Sequence, residues 1–410
     1  KKFIQLYLKY MKNDDETTNI IKTIKEVFIQ NLSNQDELSK LIDKYLIPQE
    51  LEKKKNAEVT TPYELRQEML NKIPTSFWVK PHTVLEPCSG KGGFVIDIIG
   101  RFMDKLNIPD KQERYKVIVE ECIYWCDINP TNVFICKLLI DPHDMYKLNY
   151  NLGDTLKLNI KDTWGLDGFD GVIGNPPYNS SGSIGTGNTI WQHFTKQALT
   201  GWVTQNGYLS FVHPPGWRKP NTKKGKFYGL FNLMTKENQM LYLSIHGIKD
   251  GKKIFNCGTR YDWYVIKKLQ KYENTNVSDE HNLNIMVDMD KFDWLPNSKI
   301  EDIQKLLEDG NEPCEIMYDR SSYEPRKKWM SKVKTDEYKY TCIHSTPKSG
   351  TRYMYSSYNN KGHFGIPKAI FSESGINDVI IDMIGEYGMT HGAMAIKINN
   401  IDDGKKIKQA

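Results

Sequence analysis

Between residues 84 and 270 short apolar runs alternate with stretches of helical periodicity. That alternation restricts the chain to a largely parallel sheet with helices on both faces. The runs end on small or hydrogen-bonding groups. Val84-Leu85-Glu86 leads into Pro87-Cys88-Ser89-Gly90-Lys91-Gly92-Gly93, and Ile123-Tyr124-Trp125-Cys126 ends on Asp127. Asn149-Tyr150-Asn151-Leu152 ends on Gly153-Asp154, and Phe169-Asp170-Gly171-Val172-Ile173 ends on Gly174-Asn175. Ligands in such sheets bind at the carboxyl ends of strands, so the glycine turn, Asp127, Asp154 and Asn175 converge on one candidate site.

The turn after Glu86 opens a helical stretch through Val95-Ile96-Asp97-Ile98-Ile99. Its glycines let a ligand approach the backbone closely. An acidic residue precedes the turn and the G-x-G-x-x-G spacing is absent, so a phosphate-bearing dinucleotide is not expected. A cationic, phosphate-free cofactor such as S-adenosylmethionine fits better, with Glu86 near its ammonium end. Asn175-Pro176-Pro177-Tyr178 places an amide, a rigid backbone and an aromatic ring together at a strand end. The Asn175 carboxamide oxygen and the Pro176 carbonyl can each accept one N–H of a planar exocyclic amine, aiming its lone pair at an incoming methyl group while Tyr178 stacks on the base. Asn-Pro is also ordinary turn chemistry.

Taken in order, these segments resemble the amino-group DNA methyltransferases, specifically the N6-adenine type, over about Thr60 to Leu269. Thr60-Thr61-Pro62-Tyr63-Glu64-Leu65 is similar to the family's first motif, a Thr-Pro turn over the methionine moiety. The resemblance implies a Rossmann-like, S-adenosylmethionine-dependent α/β sheet with a helical N-terminal prefix and a C-terminal α+β target-recognition domain. Carried over residue by residue, it implies cofactor contacts at Thr61, Pro62, Glu86, Pro87, Cys88, Gly90, Gly92, Asp127, Ile128, Asp154 and Asn175. Asp127 would accept from the ribose hydroxyls and Asp154 would face the cofactor adenine amine. Asn175, Pro176, Pro177 and Tyr178 would hold the target base, with an aromatic opposite Tyr178; Phe255 is the choice, with Tyr261 and Trp263 as competitors. Ile190 to Thr195 resembles the helix after this motif, and Gly207 to Pro215 the strand after that helix. The small, polar, glycine-rich segment 179–188 is expected to be mobile without substrate and suited to close over a flipped base. Duplex DNA hides the amine, so base flipping is expected, as is in-line transfer without a catalytic histidine or cysteine.

The domain organisation expected is a helical prefix at 1–56, a catalytic domain at 57–270 and a target-recognition domain at 271–410. In the prefix Ile20, Ile21, Ile24, Val27, Phe28 and Leu32 share one helical face, which suits bracing the catalytic domain. From 271 the texture turns polar, and Tyr323 to Trp329, Thr346 to Tyr355 and Tyr358 to Phe364 interleave basic, aromatic and glycine residues suited to phosphates and bases.

Composition adds limits. The 410 residues, 39% hydrophobic and 26% charged, suit a globular protein. With 56 basic and 51 acidic residues the net charge is only +5, so a nucleic-acid surface must come from local clustering. Seven scattered cysteines without C-x-x-C pairs argue for reduced thiols and against structural zinc. No apolar stretch approaches the roughly 18 residues a membrane helix needs, and the chain starts without a signal-peptide core. An intracellular, soluble protein is expected, with double-stranded DNA and a cognate restriction endonuclease as partners and no membrane. The motif chemistry leaves other readings open: methylation of RNA, of a protein glutamine or of cytosine N4, a non-catalytic DNA-binding subunit keeping the fold, or the methylase portion of a larger restriction enzyme.

Overall fold

A computed structural model describes residues 34–46, 59–180, 188–221, 223–308, 314–319, 321–361 and 363–409. The helical face from Ile20 to Leu32 lies outside them, as does most of the glycine-rich segment, 181–187. The chain divides into two compact units, Lys1–Lys305 and Leu306–Ala410.

The first unit is built on strands β1 (Val84–Glu86), β2 (Ile123–Asp127), β3 (Asn149–Leu152), β4 (Phe169–Gly174), β5 (Val203–His213), β6 (Gln239–His246), β7 (Tyr261–Lys267), β8 (Thr275–Ser278) and β9 (Asn284–Val287). They form one nine-stranded sheet in the order β3-β2-β1-β4-β5-β7-β6-β8-β9. The first five run parallel, with Leu85 opposite Tyr124 and Val172, and Val172 opposite Leu209. Strand β7 runs antiparallel between β5 and β6. Strands β1 and β2 are buried throughout, which is why they read as continuous rather than alternating apolar runs.

Helices α1 (Gln35–Tyr45), α2 (Tyr63–Asn71), α3 (Gly93–Lys105), α4 (Pro130–Ile140), α5 (Trp191–Gln197) and α6 (Ile248–Phe255) flank this sheet in sequence. Asn34 starts α1 by accepting the Glu37 N–H at 3.2 Å. Asn129 accepts the Thr131 N–H at 3.0 Å, with Pro130 in the first helical position where no N–H is needed. Helix α3 is entered through Gly92 at φ +93°, a left-handed conformation that favours glycine. It buries Val95, Ile96, Ile98, Ile99 and Phe102 in the same core as Leu38 and Ile42 of α1. Within the described part of the prefix, α1 is thus an integral wall of the first unit.

The nine-stranded sheet does not stop at residue 270. Strand β8 adds parallel to β6, with Leu243 opposite Val277, and β9 pairs with β8. The first compact unit runs to Lys305. The polar texture after 271 reflects an edge hairpin that buries Val277 and Val287 while Met286 and Leu283 stay exposed, so a composition change there marks the rim of a sheet.

The second unit holds two four-stranded sheets. One orders Ile316–Met317, Ala393–Lys397, Lys368–Ser372 and Gly375–Asp382; the other orders Met330–Ser331, Arg352–Ser356, Tyr340–Ser345 and Gly388–Met389. A buried pair, Lys368 to Asp382 at 2.7 Å, crosses the first of these, and the same carboxylate accepts the Glu386 and Tyr387 N–H groups. This unit is α+β, as expected. Among the described residues no helix is long and apolar enough to cross a membrane.

Candidate active site

The ends of β1, β2 and β4, with the segment following β3, surround a cavity of about 680 Å³, within the size range of small-molecule sites. Thr61, Cys88, Gly90, Asp127, Ile128, Asp154, Asn175, Pro176, Pro177 and Tyr178 all line it. Parallel pairing of β1 with β2 and β4, and of β2 with β3, brings these strand ends together.

Asp127 organises the glycine turn. Its carboxylate accepts the Gly90 N–H at 2.8 Å and the Asn129 N–H at 2.7 Å. Burial pushes its acidity toward the neutral form, and the Asn129 and Gly90 hydrogen bonds oppose that. The Asn132 amide adds a 3.4 Å contact to the oxygen that takes the Asn129 N–H, and the Ile128 N–H also faces the carboxylate, so with about four acceptor sites on a carboxylate a hydroxyl donor would take the place of the long Asn132 contact. Beside it the Ile128 side chain is 64% exposed, an apolar surface suited to an aromatic base. Asp154 accepts the Leu156 N–H at 3.2 Å and pairs with Lys157 at 3.2 Å.

Glu86 lies beneath the cavity rather than on its wall. Burial pushes its carboxyl well above the usual range, opposed by the Cys88 N–H at 3.3 Å, and Oε2 has no hydrogen-bond partner. A Cβ at Gly174 would stand 2.2 Å from Oε1. Only glycine at the end of β4 therefore leaves room for this acid. Burial also drives the Cys88 thiol well up, with Asp127 and Glu86 adding to the shift, so it is held protonated and is a poor nucleophile.

Asn175 is fixed by the segment ahead of α2. Its Nδ2 donates to Thr61 Oγ1 at 3.0 Å and to the Val59 carbonyl at 3.3 Å. The Val59 carbonyl can only accept, which orients the amide. Oδ1 then remains buried without a partner, and so does the Tyr178 hydroxyl. Burial pushes the Tyr178 pKa far above the usual phenol range; the nearby Asn175 carboxamide opposes this without forming a bond of normal geometry. Tyr178 meets Phe255 edge-on at 6.4 Å and 80°. Phe255 ends α6, outside the cavity lining, and rests edge-on against Tyr261 at 4.9 Å. Trp263 is buried and meets Tyr242 in a tilted contact at 5.0 Å and 36°.

Pro62, Glu86, Pro87 and Gly92 do not line the cavity. Pro62 caps α2, Pro87 offers its carbonyl to Thr155 Oγ1 at 2.7 Å, and Gly92 supplies backbone conformation. Sequence reasoning missed Arg66, which does line the cavity. Its guanidinium reaches Asp97 at 2.5 Å, Asp43 at 2.8 Å and Ser39 at 2.7 Å, and donates to the Thr61 carbonyl. Those partners lie up to 31 residues away, so no local spacing announces them. His213 is structural: it stacks on Trp191 at 4.1 Å, contacts the Tyr264 hydroxyl at 2.9 Å, and burial lowers its pKa to about 3.

The strand order and the convergence at its carboxyl ends define a Rossmann-like α/β sheet with its candidate site at the strand ends. Residues 121–255 match a family model described as Eco57I restriction-modification methylase. Comparison with curated proteins gives no match. Among solved structures, the chain is similar to a protein from Vibrio vulnificus YJ016 described as a modification subunit of a type I restriction enzyme, at 15% identity and TM-score 0.44, over 60% of this chain and 53% of that one. It is also similar to the type I restriction-modification system methyltransferase subunit of Streptococcus thermophilus, at 16% identity and TM-score 0.42, over 68% and 59%. The DrdV–DNA complex matches at 14% identity and TM-score 0.41, over 67% and 33%. The chain spans a little over half the length of the first of these relatives.

Proposed function

We propose that this chain is a site-specific DNA methyltransferase that uses S-adenosylmethionine to methylate N6 of an adenine flipped out of duplex DNA. The observation that carries the proposal is the Asn175 amide. Both described Nδ2 contacts are spent on Thr61 and Val59, so a buried acceptor oxygen stands unsatisfied on the wall of the cavity. A buried acceptor without a partner costs about 1–3 kcal/mol, and an exocyclic amine removes that cost.

The residues fit the cofactor. Glu86 Oε2, buried off the cavity lining without a hydrogen-bond partner, would be the acceptor for an ammonium group, Asp127 would take ribose hydroxyls in place of its 3.4 Å Asn132 contact, and the turn at Gly90, φ +50°, brings backbone close to the cavity. Thr61 and Pro62 would cover the methionine part, and Ile128 and Asp154 would meet the adenine. When bound, S-adenosylmethionine supplies an electrophilic methyl group.

The chain's own residues position the acceptor. Asn175 Oδ1 and the Pro176 carbonyl would each take one N–H of the amine, drawing its lone pair out of conjugation. Tyr178 and Phe255 would hold the base by its faces and edges. None of these groups titrates near neutrality, and none needs to, because the amine nitrogen becomes acidic only once its new bond has formed. Catalysis then rests on alignment, which can contribute up to about 7–11 kcal/mol. Within the second unit, Lys361 lies 4.9 Å above the Trp329 ring and 5.6 Å from Tyr358, a basic and aromatic cluster suited to phosphate and base contacts in target recognition. A cognate restriction endonuclease would be the functional partner.

Incubating the protein with labelled S-adenosylmethionine and duplex DNA, total RNA or a protein extract tests the substrate class. Label in DNA alone is expected. Label confined to RNA or protein overturns the DNA assignment, and calorimetry showing no cofactor binding would leave a non-catalytic subunit.

A further inference from the structure

We infer that Thr61 and Arg66 are positioning residues for the acceptor amide, through a hydrogen-bonded relay that begins on α1 and ends at Asn175. The inference rests on the methyltransferase function proposed above and adds residues to its machinery.

The relay starts on α1. Asp43 accepts the Tyr63 N–H at 2.5 Å through Oδ2 and pairs with Arg66 at 2.8 Å through Oδ1. One carboxylate therefore fixes both the first residue of α2 and the guanidinium one turn later. Ser39 receives a second guanidinium N–H at 2.7 Å, and Asp97 of α3 a third at 2.5 Å. Arg66 is 1% exposed. Its planar fork has donors in fixed directions, and they are divided among α1, α3 and the segment ahead of α2.

The last of these contacts is the functional one. Arg66 Nη1 donates to the Thr61 carbonyl, tethering the backbone of the residue whose hydroxyl receives Asn175 Nδ2 at 3.0 Å. A carboxamide is nearly the same shape in either orientation, so its hydrogen-bond partners decide which end faces the cavity. Thr61 and the Val59 carbonyl make that decision, and Arg66 holds the segment that carries both. The space is closed on the other side as well. A Cβ at Gly93 would stand 2.9 Å from the guanidinium carbon, so the start of α3 seats Arg66 directly. The same turn that approaches the cofactor site thereby sets the position of the acceptor amide, and α1 acts on acceptor alignment without reaching Asn175.

The test compares Thr61→Val, which removes the hydroxyl at nearly constant volume, Thr61→Ser, which restores it, and Arg66→Lys, which keeps the charge between Asp43 and Asp97 but loses the fork. For each variant, kcat and KM for DNA are measured with cofactor Kd by calorimetry. Thr61→Val is expected to lower kcat about 10–100-fold, the scale of an approximately 1 Å misplacement, with cofactor Kd changed less than about threefold; Thr61→Ser should recover most of that loss. Arg66→Lys should lower kcat in the same direction, and the Thr61→Val/Arg66→Lys double variant should be little worse than the poorer single one, since residues in one network are not additive. If Thr61→Val raises Kd and leaves kcat unchanged, Thr61 is only a cofactor contact and the relay is refuted. If Thr61→Val does not fold, Arg66→Lys decides, and wild-type kcat there also refutes the relay. Absence of methyl transfer by the unaltered protein would instead sink the function on which the relay rests.

Discussion

Asp262→Asn should destabilise the first unit far more than a surface charge removal. Arg218 and Asp262 are 3% and 0% exposed. Nε and Nη2 reach the two carboxylate oxygens at 2.7 and 3.0 Å, a bidentate pair. The remaining donors go to the Leu295 and Pro296 carbonyls at 2.9 and 3.0 Å and to Asn297 Oδ1 at 3.0 Å. Asparagine would cancel the charge and turn one acceptor into a donor facing a donor, leaving a buried guanidinium uncompensated. Breaking such a pair from one side costs about 3–5 kcal/mol, a large share of the roughly 5–15 kcal/mol that holds a domain together. The comparator is Lys161→Ala, which breaks a pair whose side chains are 61% and 88% exposed and is worth about 0–1 kcal/mol. Urea denaturation of the full chain, followed by tryptophan fluorescence, measures both. A loss at Asp262→Asn no larger than that at Lys161→Ala would refute the buried-pair account.

Two further outcomes follow from the site. Burial raises the Glu86 pKa above its unfolded value, so its contribution to stability is fully present below about pH 4.3 and is lost as pH rises through the folded value. An ammonium partner favours the carboxylate, so cofactor binding should release a proton and tighten as pH rises through the Glu86 titration. Calorimetry in buffers of different ionisation enthalpy measures that release, and Glu86→Gln should abolish it; equal release from both proteins would contradict the assignment. Tyr178→Ala should weaken DNA engagement by the roughly 1–3 kcal/mol of one stacked base and leave cofactor Kd unchanged, and a matching loss of cofactor affinity would place the ring on the wrong ligand.

Much of the fold was legible because parallel strands buried on both faces announce themselves as short apolar runs with polar groups at their ends. Asp127, Asp154 and Asn175 were expected together on that ground, and all three line one cavity. The edge hairpin after 271 was not, since a strand such as Thr275–Ser278, although mostly buried, carries a single apolar residue, Val277, and imitates a linker. Arg66 was equally hidden. In sequence it is one basic residue on a short amphipathic helix, and only tertiary structure brings Asp43 and Asp97 to it from 23 and 31 residues away. Glu86 was expected near the ammonium end of the cofactor because it closes the strand before the glycine turn, whereas the structure packs it against Gly174 and off the cavity lining.

The central claim is that Asn175 presents a buried oxygen to the amine of a flipped adenine. Nucleoside mass spectrometry of duplex DNA treated with S-adenosylmethionine and either the unaltered protein or Asn175→Ala tests it most directly. N6-methyladenine formed by the unaltered protein and lost with Asn175→Ala is the predicted result. N4-methylcytosine in its place, or N6-methyladenine undiminished by the substitution, would contradict it.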